Sequence, residues 1–479
     1  MADQFMYVET FTAPLYAQAT GAKRRIELLW GDRVRVLDAT GARTRVRARG
    51  IEGYVEPSHL GTRSLLEVYF IDVGQGDGVL VRTPDHRHVV IDGGYTRTKQ
   101  QTGKSAADFI DWKFVKDYGA ERITLDAMIS SHCDADHYGG LWDLLEPAQR
   151  TDIDAQGTDV RAFFHAGVSW WSDAGKRGLG PAENQRLLRL LEGKTALRSA
   201  LKQNAEPRLQ GEWAAFLNCV AASGCSVKRL SNRTRYVPGF GPAPGAASLR
   251  VLGPIEPETG RLFDLGSDSQ NTNGNSLVLR LDYGAVRIML TGDLNRKAHR
   301  RLLDAYAGKK EEFACDVAKS CHHGSDDVSY EFLTAMKPAA TIISSGDSEQ
   351  HAHPRPAVVS ASAVTGHVQV EGDELRTPLV YSTEISRSFR VGRMDALTLD
   401  GKVLDAAALT AAKARVGYKE VNAGDLKPAS GTRTIAGSYV VTGIVYGLVN
   451  VRTDGRRILC AAMNEKNHTW DWAVFESRF

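Results

Sequence analysis

The stretch that decides the fold reads Ser131-His132-Cys133-Asp134-Ala135-Asp136-His137-Tyr138-Gly139-Gly140. It follows an apolar run, Ala127-Met128-Ile129-Ser130, which has the length and composition of a buried strand. Two imidazoles and two carboxylates therefore fall within the six residues from 132 to 137. Side chains of these kinds are the ligands that divalent transition metals prefer. Their concentration behind a core strand indicates a metal site rather than a solvated loop.

Length and composition bound the remaining possibilities. The chain has 479 residues, 42% of them hydrophobic and 24% charged, which is typical of a globular protein with two or three domains. No stretch approaches the ~20 apolar residues that cross a bilayer, and the start resembles no signal peptide. We therefore expect a cytoplasmic protein with no membrane partner. The net charge of +3 is too small to argue for or against nucleic acid.

The six cysteines form no C-x-x-C pair and are too sparse for a disulfide framework. Reduced, buried thiols are expected, which fits a reducing compartment. A bridge between Cys219 and Cys225 is the alternative.

Residues 1–62 have the pattern of a small β-barrel. Short strands are predicted between closely spaced turn residues, at Ile26–Leu29, Asp32–Leu37, Arg43–Arg49 and Gly53–Val55. This segment resembles the bacterial SH3-like domain. We expect it to fold separately and to serve targeting, substrate capture or the binding of a protein or peptide partner.

Residues 65–479 form the second predicted domain, in which strands alternate with helices as in a layered α/β protein. Early elements are predicted at Leu66–Asp72, Gly78–Thr83, His88–Asp92 and, as a helix, Ser105–Tyr118. Elaborations are expected at about 150–245, with helices near Gln185–Gln203 and Trp213–Ala222, and at 395–437. A closing hairpin is predicted from Tyr439–Val451 and Arg457–Met463.

The metal-ligand stretch is similar to the H-x-H-x-D-H motif of the metallo-β-lactamase superfamily, with Asp134 in place of the second histidine. The variant H-x-D-x-D-H resembles the nuclease-like domain of the competence protein ComEC. Further motifs of that family follow in the same order, at Asp72–Asp77 (DVGQGD), Ile91–Gly94 (IDGG), Leu290–Asp293 (LTGD), Lys319–Ser325 (KSCHHGS) and His353–Pro354. The resemblance runs from about Leu65 to Gly346 and implies a four-layer αββα sandwich.

The resemblance also implies roles for individual residues. One metal ion would be held by His132 and Asp134, and a second by Asp136, His137 and one of His322 and His323, with His322 preferred. Asp293 would bridge the two ions. Catalytic roles would fall to Asp136, Asp77, Lys319 and His353, and supporting roles behind the ligands to Asp92 and Asn273. For Lys319 the alternatives are contact with a substrate phosphate or a solvated side chain.

One departure from the superfamily bears on the metal. Many members carry a third histidine where this chain reads Asn271-Thr272-Asn273-Gly274-Asn275-Ser276. An asparagine oxygen from this stretch is a further candidate ligand at that position. A ligand set so rich in oxygen shifts the preference from Zn²⁺ toward Mn²⁺ or Mg²⁺. We expect two divalent ions, Mn²⁺ or Zn²⁺, with Mg²⁺ as a further alternative.

These residues predict a metal-dependent hydrolase. Two ions that share Asp293 would lower the pKa of a bridging water, so that hydroxide becomes available near neutral pH. The ComEC resemblance implies a phosphodiester substrate, nucleic acid or nucleotide. Two alternatives stay open, an acyl-hydrolase of the lactamase or lactonase kind and a non-enzymatic binding module led by residues 1–62.

A basic segment, Tyr95–Lys104, leaves directly from Asp92-Gly93-Gly94. Its cations are expected near the metals, where they would hold a phosphate backbone without reading its sequence. The alternative is a solvated loop.

Overall fold

The computed structural model of the chain describes residues 4–100, 104–146, 148, 153–346, 353–383, 388–393, 396–399, 402–405, 414–419, 430–435, 439–445, 448–464 and 469–479. Part of the predicted elaboration at 395–437 lies outside these residues. So do residues 101–103 of the basic segment.

The first seven strands form an antiparallel sheet of their own, in the order β3-β2-β6-β5-β4-β1-β7. Their bounds are β1 Phe5–Val8, β2 Thr12–Tyr16, β3 Arg24–Leu29, β4 Arg33–Asp38, β5 Thr44–Ala48, β6 Ile51–Val55 and β7 Leu60–Gly61. The four predicted strands correspond to β3 to β6. Their alternating residues bury a small core that includes Leu15, Leu28, Val34 and Val46. The SH3-like resemblance and independent folding stay predictions.

The strands after this sheet build the body of the protein. The next group comprises β8 Leu66–Phe70, β9 Gly78–Arg82, β10 His88–Gly93, β11 Ile123–Leu125, β12 Ala127–Ser130, β13 Thr158–Val160, β14 Ala162–His165, β15 Trp171–Asp173, β16 Lys176–Gly178, β17 Ala182–Glu183, β18 Arg186–Leu187, β19 Arg208–Leu209, β20 Ser226–Arg229, β21 Ser248–Gly253, β22 Leu262–Phe263, β23 Val278–Tyr283, β24 Val286–Thr291, β25 Val317–Lys319 and β26 Ala340–Ile343. The last group comprises β27 Gln369–Glu371, β28 Glu374–Thr377, β29 Leu379–Ser382, β30 Ser388–Arg393, β31 Ala396–Leu399, β32 Lys402–Asp405, β33 Ala414–Lys419, β34 Ser430–Ile435, β35 Tyr439–Val445, β36 Val449–Thr453, β37 Arg457–Asn464 and β38 Thr469–Glu476.

The helices lie mainly on the outer faces of the two large sheets. The α-helices are α1 Ala106–Asp111, α2 Ala135–Leu145, α3 Lys194–Ala200, α4 Gly211–Ala222, α5 Asp268–Gly274, α6 Arg296–Ala305, α7 Tyr330–Met336 and α8 Pro356–Thr365. α1 continues as a π-helix at Trp112–Asp117, and 3₁₀ turns lie at Pro57–His59, Lys310–Phe313 and Cys321–Gly324. No helix among the described residues is long and apolar enough to span a membrane.

Two sheets pack face to face. One has nine strands in the order β20-β14-β12-β10-β9-β8-β36-β37-β38, and the other has six in the order β21-β23-β24-β25-β26-β29. The apolar core between them draws side chains from both sheets. A second core lies beneath α1, α2, α3 and α4, and a third beneath α6 and α7. The predicted four-layer αββα sandwich is therefore confirmed.

Two sequence predictions for single elements were wrong in part. The helix predicted near Gln185–Gln203 begins only at Lys194, because the residues before it pair as β18 with β22. The leucine-rich run imitates a helical period, but Leu187 and Leu191 instead bury against the core under α4. The closing hairpin consists of β36 and β37, whereas β35 pairs with β30.

The N-terminal sheet is joined to the body by a buried ion cluster. Asp32 accepts from Arg49 of its own sheet and from Arg452 of β36, each at 2.8 Å. Trp470 of β38 donates its indole Nε1–H to the backbone oxygen of Glu27 at 3.0 Å. Burial acts to raise the pKa of Asp32, but Arg452 and Arg49 outweigh it and lower that pKa to about 2. The two parts therefore share charged groups that neither could bury alone.

All six cysteines are free thiols, five of them buried. The alternative of a Cys219–Cys225 bridge is wrong for this structure.

Candidate metal centre

The candidate ligands lie at one edge of the sandwich, where parallel strands of both sheets end. β10 carries Asp92 near its end and β12 leads into His132, while β24 leads to Asp293 and β25 to the pair His322–His323. β10 and β12 are parallel neighbours, as are β24 and β25. Side chains that follow parallel strands converge at their carboxyl ends, which is where α/β proteins place their ligands.

Glycines allow the two halves to approach at this edge. A Cβ on Gly292 would lie 2.8 Å from the hydroxyl oxygen of Ser131, on the opposite sheet's loop. A Cβ on Gly140 of α2 would lie 2.1 Å from the backbone oxygen of Gly93. Larger residues at either position would push the ligand loops apart.

Asp134 occupies the N-cap position of α2 but makes no capping bond. Aspartate at an N-cap ordinarily accepts from the first turn of its helix. Here its Oδ2 instead accepts from the hydroxyl of Thr272 on α5 at 2.8 Å. The carboxylate is therefore turned away from its own helix and toward the loop of His132, whose Nε2 lies 3.5 Å from the same oxygen.

His137 is held by a carboxylate behind it. Its Nδ1–H donates to Oδ2 of Asp92 at 2.9 Å, and Oδ1 of Asp92 accepts from the backbone N–H of Ser131 at 2.7 Å. Asp92 has a φ of +58°, a conformation that Asp and Asn tolerate better than most residues. This arrangement fixes the tautomer of His137 and presents Nε2 to the centre of the site.

Asp136, His137, Asp293 and His323 form the tightest group of ligand-type side chains. One ligand atom from each lies within 4.8 Å of all the others. Oδ2 of Asp293 is 3.2 Å from Nε2 of His137 and 3.0 Å from Nε2 of His323. Nε2 of His323 is also 3.6 Å from Oδ2 of Asp136. Two imidazoles and two carboxylates thus face one small volume.

The geometry favours His323 over His322 in this group, contrary to the preference drawn from the sequence. The His323 side chain is 1% exposed, whereas that of His322 is 26% exposed and its Nε2 lies 3.7 Å from Asp293 Oδ2. Both residues have positive φ, 46° for His322 and 53° for His323. Such strain in two consecutive residues is typical of a functional site. It turns the two rings to different sides of the turn, which periodicity could not predict.

His132 and Asp134 lie together and, with His322, outline a second, more exposed position. Nε2 of His132 lies 3.5 Å from Oδ2 of Asp134, and Nε2 of His322 lies 3.7 Å from Oδ2 of Asp293. The two side chains of each pair are therefore close enough to bind the same ion. The sequence assigned His132 and Asp134 to a metal of their own, and the structure places them together.

Several buried ligand atoms make no hydrogen bond of acceptable geometry within the described part of the chain. They are Nε2 of His132, His137 and His323 and Oδ1 of Asp293. Buried polar atoms are ordinarily hydrogen-bonded, because leaving them unpaired is costly. Four such atoms pointing at one edge fit a divalent cation, so the residues present match the metal that the sequence predicts.

The pKa shifts of the buried ligands also fit a metal site. Burial opposes a charge on His137 and on His323, but the carboxylates around them, Asp293 foremost, raise both pKa values well above the ordinary 6.5. Burial acts to raise the pKa of Asp293, yet the histidines hold it well below 3.8. Without a metal, protons on these imidazoles neutralise the carboxylates. A metal would replace those protons, so its binding releases them.

Asp77 and Lys319 lie behind His323 rather than at a solvated surface. Both are buried and form an ion pair. Oδ1 of Asp77 is 3.3 Å from Nδ1 of His323, which also donates to the backbone oxygen of Ser344 at 3.2 Å. The alternative of a solvated Lys319 is wrong, because its ammonium group is buried against Asp77, and a contact with substrate phosphate stays a prediction. The pair positions His323 as Asp92 positions His137.

His353 and Asn273 lie further from the centre. The His353 ring is buried, with its centroid 5.6 Å from that of His322 and 6.3 Å from that of His323. The side-chain oxygen of Asn273 accepts from Thr272 at 3.3 Å, so it belongs to the group that holds Asp134.

The cations of the basic segment form ion pairs with carboxylates of the same chain, and their contact with substrate stays a prediction. Arg97 forms a bidentate pair with Asp108 at 3.0 and 2.8 Å, and Lys104 joins the same carboxylate at 3.0 Å. Lys99 contacts Glu212 at 2.5 Å. Asp108, four residues after Lys104, and Glu212, which is distant in sequence, therefore pair with these cations.

Some residues of the site were missed by sequence reasoning. The hydroxyl of Ser131 lies 3.0 Å from Nδ1 of His132, Thr272 holds Asp134, and the amide of Gln75 is 3.5 Å from Asp136 Oδ2. Ser131 and Gln75 lie inside the quoted motifs, so their position was a usable signal. Ser344 acts through its backbone oxygen, and such a contact cannot be predicted from the type of residue.

We expect Asp92→Asn to weaken metal binding without unfolding the protein. Asparagine keeps the positive φ and the bond from Ser131, but it no longer supplies the charged acceptor that holds His137. Loss of such a supporting carboxylate lowers metal affinity by about 10- to 100-fold. Isothermal titration of the metal-free protein with Mn²⁺ and Zn²⁺ measures the change. An unchanged dissociation constant would show that Asp92 does not act on the metal.

Comparison with known proteins agrees with this geometry. Residues 71–189 match the Metallo-beta-lactamase superfamily family. The chain is 24% identical over 302 residues to ComE operon protein 3 of Bacillus subtilis (strain 168), across 61% of this chain and 30% of that protein. It is 37% identical over 87 residues to Competence protein ComA of Neisseria gonorrhoeae, across 18% of this chain and 12% of that protein. The chain thus matches less than a third of the length of either relative. The fold, the ligand loops and these similarities support a ComEC-like protein of the metallo-β-lactamase fold and, with it, a metal-dependent hydrolase.

Proposed function

We propose that the protein is a metal-dependent phosphodiesterase that cleaves nucleic acid or a nucleotide phosphodiester. The observation that carries the proposal is the position of Asp293, whose Oδ2 lies 3.2 and 3.0 Å from Nε2 of His137 and His323 in the inner group and 3.7 Å from Nε2 of His322 beside it. A carboxylate in that place can join two neighbouring cation positions, a pattern suited to two-metal phosphoryl chemistry.

Two divalent ions would be held at this edge. The inner set is Asp136, His137, Asp293 and His323, and the outer set is His132, Asp134 and Asp293 with His322 beside them. When bound, such ions supply Lewis acidity toward phosphoryl oxygens and acidify a water molecule for attack. The chain's own contribution is orientation, through Asp92 behind His137, Asp77 behind His323 and Thr272 behind Asp134.

We propose Mn²⁺ as the preferred metal, with Zn²⁺ and Mg²⁺ as less favoured ions. At the outer position Asp134 and Asp293 supply oxygen beside the imidazole of His132, and the third histidine of many superfamily members is absent from its place in the sequence. Carboxylate-rich sets suit harder ions than Zn²⁺.

The compartment and partners follow the same reasoning. We propose a cytoplasmic location, which fits six free cysteines. We also propose that the N-terminal sheet binds substrate or a protein or peptide partner, since none of its residues belongs to the ligand groups at the metal centre.

The test is a substrate panel with the full chain. After chelation, the protein should cleave single- or double-stranded DNA or RNA when Mn²⁺ is restored, and less well with Zn²⁺. A chromogenic phosphodiester and a matched ester and lactone complete the panel. Cleavage of the ester or lactone alone would transfer the assignment to an acyl-hydrolase. Tight metal binding with no cleavage of any substrate would favour a binding module.

A further inference from the structure

A second cavity lies apart from the candidate ligands, between α1, the N-terminal sheet and strands β36 to β38. Its volume is about 670 Å³, within the range of sites that bind small molecules. Much of its wall is apolar, including Ile51, Ile71, Phe109, Trp112 and Met463. The wall therefore favours a ligand with a substantial apolar body.

The floor of this cavity carries an excess of positive charge. Arg49 and Arg452 both line it, and both depend on the single carboxylate of Asp32. Lys113, also in the lining, has its own partner in Asp117 at 2.7 Å. Glu67, the other buried carboxylate that acts on Arg452, is already paired with Arg82, so the two guanidinium groups on Asp32 leave one positive charge unbalanced.

The carboxylates at the rim do not remove this excess. Asp108 pairs with both Arg97 and Lys104. Its single negative charge therefore leaves one of these two positive charges unbalanced. Asp72, the other carboxylate in the lining, accepts from the backbone N–H of Gly74 at 3.2 Å and lies at the rim beside the loop that carries this cation pair, not beside Asp32. The uncompensated charge therefore stays at Arg49 and Arg452.

Two buried donors in the lining lack acceptors among the described residues. They are Nε of Arg452 and Nδ2 of Asn450, on neighbouring positions of the same face of β36. Both side chains are 1% exposed. An unpaired buried donor costs free energy, and an unpaired guanidinium N–H costs more than a neutral one. An anionic acceptor placed there would satisfy both donors and balance the charge.

We infer that this cavity binds a small amphipathic organic acid, with its apolar body among the aromatic and aliphatic walls and its single carboxylate or sulfonate on Arg452 and Asn450. One excess charge matches one anionic group. A nucleoside monophosphate is a poorer match, because its phosphate carries nearly two charges and its ribose is polar.

The test uses the full chain and the fluorescent monoanion 8-anilino-1-naphthalenesulfonate. Binding should saturate at one site, decanoate should displace the probe, and 1-decanol should displace it far less. Asn450→Asp supplies the missing carboxylate from the chain, so probe affinity should fall by at least about tenfold. Asn204→Asp, at an exposed position, is the matched control and should bind normally.

A second variant keeps the inference testable if Asn450→Asp does not fold. Trp112 is only partly buried, and Trp112→Glu places a negative charge in the wall. Trp112→Glu should also weaken binding of the probe, while the midpoint temperature of thermal unfolding should stay nearly unchanged. The inference is overturned if the probe does not bind, if 1-decanol competes as well as decanoate, or if folded variants bind like the wild type. Displacement by adenosine monophosphate but not decanoate would overturn the ligand class.

Discussion

Asp293→Asn is expected to abolish metal-dependent turnover, with a loss of at least about a thousandfold. Asparagine has nearly the same shape, so the loop after β24 should keep its fold. It removes the charge that lies beside His137, His323 and His322 and that, in our proposal, both cation positions share. Metal content measured after dialysis against Mn²⁺ should fall together with the rate of phosphodiester cleavage.

Asp304→Asn is the matched control, since Asp304 is an exposed carboxylate in the last turn of α6. It should keep full metal content and full activity. Retention of both metal ions and of the cleavage rate in Asp293→Asn would contradict the bridging role and remove the main support for two-metal chemistry.

Asp32→Ala is expected to lower the free energy of unfolding by about 3–5 kcal/mol, the usual cost of removing one partner from a buried ion cluster. The variant leaves Arg49 and Arg452 buried without a carboxylate. Chemical denaturation followed by tryptophan fluorescence measures the loss. Asp304→Ala should change the same free energy by less than about 0.5 kcal/mol. A similarly small change in Asp32→Ala would mean that the cluster contributes little.

The same variant has a defined dependence on pH. Because the pKa of Asp32 is lowered from 3.8 to about 2, its contribution is complete above pH 3.8 and disappears as pH falls through about 2. The difference between wild type and Asp32→Ala should therefore shrink over that interval.

The sequence predicted the parts of the site that are local. His132 to His137 follow one strand, so their proximity needed only the strand and the turn. The placement of Asp293 and His323 beside them depends on packing of two sheets, and only the ordered motifs of a known family could indicate it. The choice between His322 and His323 depends on the left-handed backbone conformation of both residues. Two adjacent histidines in a sequence do not reveal that conformation.

Long-range charge pairing was beyond sequence reasoning. Asp32 and Arg452 are 420 positions apart, and neither lies in a recognisable motif. The cations Arg97 and Lys99 looked available for substrate because their carboxylate partners, Asp108 and Glu212, belong to α1 and α4. The sequence shows how many charged side chains a protein has, whereas the fold determines which of them are paired with an opposite charge.

The division of the ligands between two sheets links metal affinity to folding. His137 and Asp293 are far apart in an unfolded chain, so only the folded sandwich can bind the inner ion tightly. A ligand that binds the native state alone stabilises it by about 2.7 kcal/mol at a free concentration one hundred times its dissociation constant. The melting temperature should accordingly rise with metal concentration and fall on chelation. The metal would thus act as a clamp that holds the two halves of the sandwich together.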